Sequence, residues 1–277
     1  FGNKYDVRGY EKKSFNVTDR KCVNEIINDE DPDVIIHTAA NTDAEFCERN
    51  PEEAYLVNST GTDNIVNCLL EKNNDALMVY ISSTGVYGEK KNDPYTEYDL
   101  VNPTTIHHKS KYSGEQAVFR LSKYLVIRTG WLFGGSINHK KNFVYNRYLD
   151  AVDNDHIYSD FQQKGNPTPI NDLCTQIEYL LQKKIYGLFN IVGNGVTTRY
   201  DYVKEIISCF NLPCIVKKTS HDNFKRIAPV SLNESAINHK LQLLGIDLMR
   251  PWRKSLLEYI STIKIQGIDK DSKSKKL

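Results

Sequence analysis

Several features that mark whole classes of protein are absent from this sequence. No run of apolar residues approaches the roughly 20 needed to span a bilayer, and no secretory signal peptide is visible. The six cysteines stand without CxxC or other metal-type spacing, which argues against zinc and disulfides. With 36 Lys and Arg against 35 Asp and Glu, nothing suggests a polyanion-binding surface. We therefore expect a cytoplasmic protein with no metal that binds neither membranes nor nucleic acid.

Short apolar strands alternate with amphipathic helices along the chain. This alternation predicts an α/β fold, a doubly wound parallel sheet with a smaller α/β substrate lobe and a ligand cleft between them. The predicted division assigns residues 1–134 and 170–193 to a dinucleotide-binding domain, 135–169 and 194–264 to a substrate-binding lobe, and 265–277 to a disordered tail.

The stretch from 79 to 115 organises the rest. An apolar strand ends at Ser82-Ser83-Thr84-Gly85, so hydroxyl groups follow the carboxyl end of a strand, where open α/β sheets bind ligands. A helix predicted to open at 102–105 then carries His107 and Lys111. Because residues four apart share a helix face, we expect Thr84, His107 and Lys111 to converge on one site.

Two motifs in this stretch, 82–88 (SSTGVYG) and 111–115 (KYSGE), carry a family resemblance. Together they resemble the extended short-chain dehydrogenase/reductases, and more narrowly the dTDP-4-dehydrorhamnose reductase branch, which acts on nucleotide sugars. In that family a Ser or Thr, a Tyr and a Lys four residues after it form the catalytic group. Thr84 and Lys111 match this group, whereas His107 stands at the position of the tyrosine. The resemblance covers almost the whole chain and implies Thr84, His107 and Lys111 as the catalytic residues.

The beginning of a dinucleotide-binding fold is not visible. Such a fold opens with a strand, a glycine-rich turn and a helix, but the Gly-x-Gly at 193–195 lies far downstream and lacks the third glycine. Residues 5–10 already read as the second strand. We interpret the sequence as a Rossmann-like fold that lacks its first βα unit, and we expect such a chain to bind a dinucleotide poorly.

The resemblance also implies contacts to NADPH or NADH. An acidic residue after the second strand holds the adenosine ribose, and basic residues there hold a 2′-phosphate; Glu11 is followed by Lys12 and Lys13, so the choice between NAD and NADP stays open. Asn58 matches an asparagine that orders the active site, although a buried Asn is often only a hydrogen-bonded core residue. The implied cofactor-binding residues are Glu11, Lys12, Asn16, Val17, Ala39, Ala40, Thr42, Asn58 and Lys111.

Further motifs resemble the substrate side of the family. The segments at 128–133 (RTGWLF), 142–143 (NF) and 163–168 (QKGNPT) match its substrate-contacting motifs. Arg226 stands where the family has an arginine facing diphosphate, a role that suits the guanidinium fork. The implied substrate-binding residues are Tyr87, Trp131, Asn142, Phe143, Gln163, Pro167, Thr168 and Arg226.

The leading hypothesis is the NAD(P)H-dependent reduction of a 4-keto nucleotide sugar, within nucleotide-sugar or polysaccharide biosynthesis. In it Thr84 hydrogen-bonds the carbonyl, Lys111 binds the nicotinamide ribose, and His107 delivers the proton, with Tyr87 as a substitute donor. A homodimer is compatible with this hypothesis. The alternatives are a catalytically impaired homologue that binds a nucleotide sugar or regulates a partner, which His107 favours, and a nucleotide-sugar epimerase.

Overall fold

The computed structural model describes residues 4–72 and 75–264 of the chain; the predicted disordered tail at 265–277 lies outside them. Its strands are β1 Val34–His37, β2 Leu77–Ser83, β3 Tyr124–Thr129, β4 Leu132–Phe133, β5 His156–Asp160, β6 Lys164–Gly165, β7 Thr168–Pro169, β8 Gly187–Asn190, β9 Thr197–Thr198 and β10 Ile215–Thr219. Its α-helices are α1 Arg20–Glu30, α2 Ala44–Arg49, α3 Pro51–Tyr55, α4 Gly61–Glu71, α5 Ile106–Val118, α6 Phe143–Asp153, α7 Ile170–Gln182, α8 Arg199–Phe210, α9 His239–Leu243 and α10 Trp252–Ile263.

A four-stranded parallel sheet in the order β1-β2-β3-β8 forms the larger part of the fold. Its strands are short and apolar because both faces are covered by helices. One face packs against α1, α4 and α5 through a cluster that includes Ile65 and Met78. The other packs against α7 and α9 through a cluster that includes Leu125 and Leu173. The doubly wound sheet expected from the sequence is therefore confirmed.

A separate hydrophobic cluster lies around α6, α8 and α10. Its buried members include Val144, Tyr202, Ile206 and Trp252, and the parallel pair β5–β10 borders it. Thr198 caps α8 by accepting a hydrogen bond from the backbone N–H of Asp201, which satisfies one of the free donors of the first turn. These elements form the smaller α/β part of the molecule.

The strand expected at residues 5–10 is not present. This segment has no regular secondary structure, and no described strand pairs with the free edge of β1. A strand needs a neighbour for its backbone hydrogen bonds, and here the segment is held by side chains instead. Arg8 and Tyr10 both donate hydrogen bonds to the carboxylate of Glu30 on α1.

All six cysteines are unpaired. In the part of the chain that the structure describes, no helix is long and apolar enough to cross a membrane. Among the same residues, no cluster of three or more His, Cys, Asp or Glu side chains is arranged to hold a metal ion.

Candidate active site

Thr84 lies directly after the carboxyl end of β2, on a short 3₁₀ turn that runs from Thr84 to Tyr87. Its side chain is buried. A Cβ atom on Gly85 would lie 2.0 Å from the His108 ring of α5, and one on Gly130 would lie 2.6 Å from the Thr84 hydroxyl oxygen. Because both positions are glycine, α5 can pack closely against the turn at Gly85, and the residue after β3 can pack closely against Thr84.

His107 and Lys111 lie on α5, which begins after a Thr105 cap, as predicted. The Lys111 side chain is buried, with its ammonium 4.0 Å from the centre of the Tyr80 ring. No ion pair of Lys111 is found among the described residues. Burial lowers the pKa of Lys111 to about 7, against the opposing effect of the Glu115 carboxylate, because desolvation disfavours a charged ammonium.

The half-buried His107 imidazole lies 2.9 Å, through Nδ1, from the carbonyl oxygen of Asn41. Burial lowers the pKa of His107 to about 3, and the neighbouring His108 and Lys111 lower it further, while the Asn41 carbonyl and Glu234 oppose the shift. His107 is therefore neutral at pH 7. The electrostatic coupling between His107 and Lys111, on a helix that packs against β2 and its turn, supports the expected grouping with Thr84.

Asn58 is fully buried and fixes the backbone that His107 contacts. Its Oδ1 accepts a hydrogen bond from the Asn41 N–H at 2.7 Å, and its Nδ2 donates to the Asn41 carbonyl at 3.0 Å and to the Ser110 hydroxyl at 2.9 Å. It lies on a π-helical turn between α3 and α4, an irregularity that is frequent at functional sites. These contacts support the ordering role that the resemblance implied.

A cavity of about 330 Å³ lies beyond β1, lined by Ala40, Asn41, Thr42, Asp43, Phe46, Glu53 and Lys141. Small side chains at Ala39 and Ala40 leave room for a flat ligand. The Nδ2 of Asn41 is buried without a hydrogen-bond partner in the structure, so a donor is free for a bound group. The cavity therefore fits one part of a dinucleotide, and two of the predicted contacts, Ala40 and Thr42, line it.

A larger cavity of about 680 Å³ lies at the amino ends of β1, β2 and β3. It is lined by Asp31, Pro32, Asp33, Lys72, Asp75, Ala76 and Lys123. Open α/β sheets bind ligands at the opposite, carboxyl ends of the strands. We therefore place the site at the smaller cavity.

The four predicted contacts nearest the N-terminus are arranged differently from expectation. The Asn16 Oδ1 already accepts hydrogen bonds from the N–H and hydroxyl of Thr18, so it is not a free acceptor for adenine. Val17 is buried in the core against Ile65 and its neighbours. Glu11 and Lys12 are exposed at a turn and can reach a ligand only from the surface.

Three predicted substrate residues are buried structural groups instead. The Tyr87 hydroxyl donates to Asn190 Oδ1 at 2.7 Å, its ring stacks on Tyr95, and burial raises its pKa to about 12. The Asn142 amide caps α6 and donates to Tyr259. Thr168 donates to the Asn166 carbonyl and accepts from the Gly193 N–H. The Tyr87 hydroxyl is thus enclosed by the core, and its role as a substitute proton donor stays a prediction.

Four other predicted substrate residues belong to an aromatic and charged cluster in the smaller lobe: Trp131, Phe143, Gln163 and Arg226. Pro167 is buried. Trp131 has an unusual backbone φ of 48° and donates from Nε1 to Glu234 at 3.1 Å. Strained backbone of this kind is concentrated at functional sites. Phe143 stacks on Tyr202 with 5.4 Å between ring centres. Gln163 is buried beside this cluster, and Arg226 is exposed at its edge.

The sequence reasoning missed three residues of the site. Arg199 lies with its guanidinium carbon 3.5 Å from the centre of the Trp131 ring. Glu234 contacts Trp131, and Asn41 holds His107. Positions 41 and 234 gave no sequence signal, because each acts through neighbours that are distant in the chain.

Two curated relatives cover most of the chain. The spore coat polysaccharide biosynthesis protein SpsK of Bacillus subtilis is 27% identical over 257 residues, which are 92% of this chain and 88% of the relative. Methionine adenosyltransferase 2 subunit beta of Mus musculus is 28% identical, over 88% of this chain and 74% of the relative.

Solved structures match the fold closely. A dTDP-4-dehydrorhamnose reductase from Clostridium acetobutylicum superimposes with a TM-score of 0.90 at 29% identity, covering 95% of this chain and 92% of that one. The enzyme of the same name from Bacillus anthracis, in complex with NADP, superimposes with a TM-score of 0.88 at 28% identity over 95% and 92% of the two chains.

The family model described as the RmlD substrate binding domain matches residues 2–265, nearly the whole chain. The chain belongs to the RmlD substrate binding domain family, whose relatives include dTDP-4-dehydrorhamnose reductases.

Proposed function

We propose that this protein uses NADPH or NADH to reduce the keto group of a 4-keto nucleotide sugar, in the manner of the dTDP-4-dehydrorhamnose reductases. One observation carries the proposal: the buried ammonium of Lys111, which has no ion pair among the described residues, lies on the same helix face as His107 beside the Thr84 turn. Buried titratable groups with strongly shifted pKa values are concentrated at catalytic sites.

The residues around the β1 cavity fit a dinucleotide. Ala39, Ala40 and Thr42 would border it, the Asn41 amide would donate to it, and Lys111 would bind the nicotinamide ribose. When bound, the cofactor supplies the hydride for the reduction. The structure of the Bacillus anthracis relative with NADP supports use of the phosphorylated cofactor.

The proton side of the reaction depends on His107. Thr84 donates a hydrogen bond to the substrate carbonyl, which stabilises the negative charge that develops on its oxygen. The Nδ1–H of His107 donates to Asn41, so the Nε2 atom of the neutral ring carries a lone pair. His107 can give a proton to the substrate oxygen only when Nε2 is protonated, and the low pKa of His107 makes that form scarce at pH 7.

Substrate contacts are proposed for the aromatic and charged cluster of the smaller lobe. Trp131, Phe143, Gln163 and Arg226 would contact the nucleotide sugar, whereas Asn142, Pro167 and Thr168 shape the site from behind. The division into a cofactor domain (1–134, 170–193) and a substrate lobe (135–169, 194–264), a cytoplasmic location and a homodimer remain part of the proposal.

A second candidate function is a binding or regulatory homologue with impaired catalysis. The neutral His107 at the tyrosine position favours this candidate. A relative with a similar sequence, methionine adenosyltransferase 2 subunit beta of Mus musculus, is also named as a subunit of another enzyme. An epimerase differs from both because it returns the hydride to the substrate and consumes no net cofactor.

The test is NADPH and NADH oxidation, followed by absorbance, with a panel of 4-keto sugar nucleotides. The proposal predicts stoichiometric oxidation with at least one substrate, and its loss in Lys111→Ala. Ligand binding without oxidation would support the binding protein, and product formation without net oxidation would support the epimerase.

A further inference from the structure

We propose that Arg199 binds the diphosphate of the nucleotide sugar, beside Arg226, which the family resemblance already places there. This inference rests on the proposed function and names a residue for the same site. Arg199 is the first residue of α8 and faces the cluster that contains Trp131 and Phe143.

The position of the Arg199 guanidinium is fixed by stacking. Its carbon lies 3.5 Å from the centre of the Trp131 ring and 5.3 Å from that of Phe143. Stacking orients the plane of a guanidinium while leaving its N–H edge free to bind an anion. Among the described residues, the hydrogen bond of this side chain is a long one, from Nε to Gln163 Oε1 at 3.4 Å, so most of its five donors have no protein partner there.

The other stacked arginines show what is unusual here. Arg128 lies over Tyr87, Arg147 over Phe143 and Arg253 over Trp252, and each also forms an ion pair, with Glu115, Asp150 and Glu205 respectively. Among the described residues, the stacked arginines without an ion pair are Arg199 and Arg226.

The two unpaired arginines share one neighbourhood. Each affects the titration of Glu234, and Arg226 disfavours the charge on Arg199. Burial is the main reason why the pKa of Arg199 is lowered, to about 10. A guanidinium that has lost much of its hydration and has a like charge nearby gains more from an anion than an exposed one does.

The carboxylates facing Arg199 are engaged elsewhere. Glu234 accepts a hydrogen bond from Trp131 Nε1, and Asp160 accepts from the backbone N–H groups of Gln162 and Gln163 at 2.7 and 3.3 Å. Neither lies within ion-pair distance of Arg199. A dianionic ligand with oxygens on two phosphorus atoms matches two guanidinium forks better than a single carboxylate does.

The experiment is calorimetric titration of the protein with UDP, dTDP, UMP, dTMP and inorganic pyrophosphate. We expect at least one nucleoside diphosphate to bind more tightly than its monophosphate. Arg199→Gln should weaken diphosphate and pyrophosphate binding about 10- to 100-fold, the range for a charge-assisted hydrogen bond. Arg199→Lys keeps the positive charge but loses the guanidinium fork, so its affinity for diphosphate should lie between those of the wild type and Arg199→Gln.

Arg253→Gln is the matched control, since Arg253 also stacks on a tryptophan of the same lobe but is paired with Glu205. It should bind every ligand as the wild type does. Thermal melting of each variant separates a folding defect from a binding defect, and an Arg199→Lys variant that melts normally carries the test if Arg199→Gln does not fold.

Unchanged diphosphate affinity in a folded Arg199 variant, or no binding of any diphosphate or pyrophosphate by the wild type, would overturn the inference. Failure of the proposed function gives a different pattern. Pyrophosphate binding that depends on Arg199, in a protein that oxidises no NADPH with any keto sugar nucleotide, would support the arginine site while contradicting the reductase.

Discussion

The Nδ1 atom of His107 lies 2.9 Å from the carbonyl oxygen of Asn41, whose backbone is held in turn by the side chain of Asn58. A carbonyl oxygen only accepts, so Nδ1 carries the proton and Nε2 is free. The ring position that faces away from Asn41 is thus a hydrogen-bond acceptor at neutral pH, whereas a tyrosine there would be a donor.

His107→Tyr should raise reductase turnover at pH 7. In the wild type the pKa of His107 is lowered to about 3, so the protonated form increases as pH falls and activity should rise toward acid pH. A tyrosine beside Lys111 would have its pKa lowered by the ammonium and would donate at neutral pH. The pH dependence of kcat in both proteins measures this effect. His107→Phe is the control, because its side chain has no ionisable proton to transfer.

Robust wild-type activity near pH 7 that His107→Tyr abolishes would show that the histidine is a working catalytic residue. The impaired-enzyme alternative would then be wrong.

Lys111→Ala should weaken NADPH binding by about tenfold, the effect of losing one charge-assisted hydrogen bond. Lys109→Ala is the matched control, because Lys109 lies on the same helix but is exposed. Fluorescence titration with NADPH measures both. Equal affinities in the two variants would argue against a ribose contact by Lys111.

Lys111→Met should stabilise the protein more at pH 6 than at pH 9. The folded-state pKa of Lys111 is lowered from 10.5 to about 7. The free energy of unfolding is therefore highest above pH 10.5, where Lys111 is neutral in both states, and it decreases as pH falls to 7 because the buried side chain resists protonation. Methionine keeps the apolar stem without the charge. Urea unfolding at both pH values gives the comparison, and a gain that is larger at pH 9 would contradict a desolvated ammonium.

Replacing both Lys12 and Lys13 with alanine should lower affinity for NADPH and leave affinity for NADH unchanged. An ammonium beside a 2′-phosphate forms a charge-assisted contact that NADH cannot make, and both side chains are exposed. Competition between the two cofactors in wild type and variant measures the preference. A strong preference for NADH that the substitutions do not alter would show that these lysines are only surface residues.

Glu115→Gln should destabilise the fold by about 3–5 kcal/mol, because it leaves a buried guanidinium unpaired. The Glu115 carboxylate accepts from Arg128 at 2.7 and 3.0 Å and from the Ser82 hydroxyl. Asp63→Asn, in the exposed pair with Arg120, is the control and should cost about 1 kcal/mol or less. Similar losses for both variants, in denaturant unfolding, would contradict a structural role for the buried pair.

Much of the fold could be predicted from the sequence because its signals are local. The apolar strand before Thr84 and the cap at Thr105 depend on adjacent residues, and each was found where the pattern placed it. The strand expected at residues 5–10 was not found, because a strand also depends on a neighbour in space. The π-helical turn around Asn58 was missed since nothing in the local pattern of an apolar helix marks it.

The candidate site was predicted less completely. The sequence grouped His107 with Lys111. It could not show that the polar atoms of Tyr87, Asn142 and Thr168 form hydrogen bonds within the protein. Arg199 and Glu234 were missed because their roles depend on Trp131, which lies far from both in the chain. Side-chain partners across the two lobes are set by tertiary packing, which residue spacing does not record.

The most direct test of the account follows the hydride itself. The protein is incubated with NADPH carrying deuterium at the transferable position and a 4-keto sugar nucleotide, and the sugar product is analysed by mass spectrometry. The account predicts a product with one deuterium at C4, formed by the wild type and not by Lys111→Ala. A sugar nucleotide that is recovered unreduced, or reduced without deuterium, would contradict the assignment as a reductase.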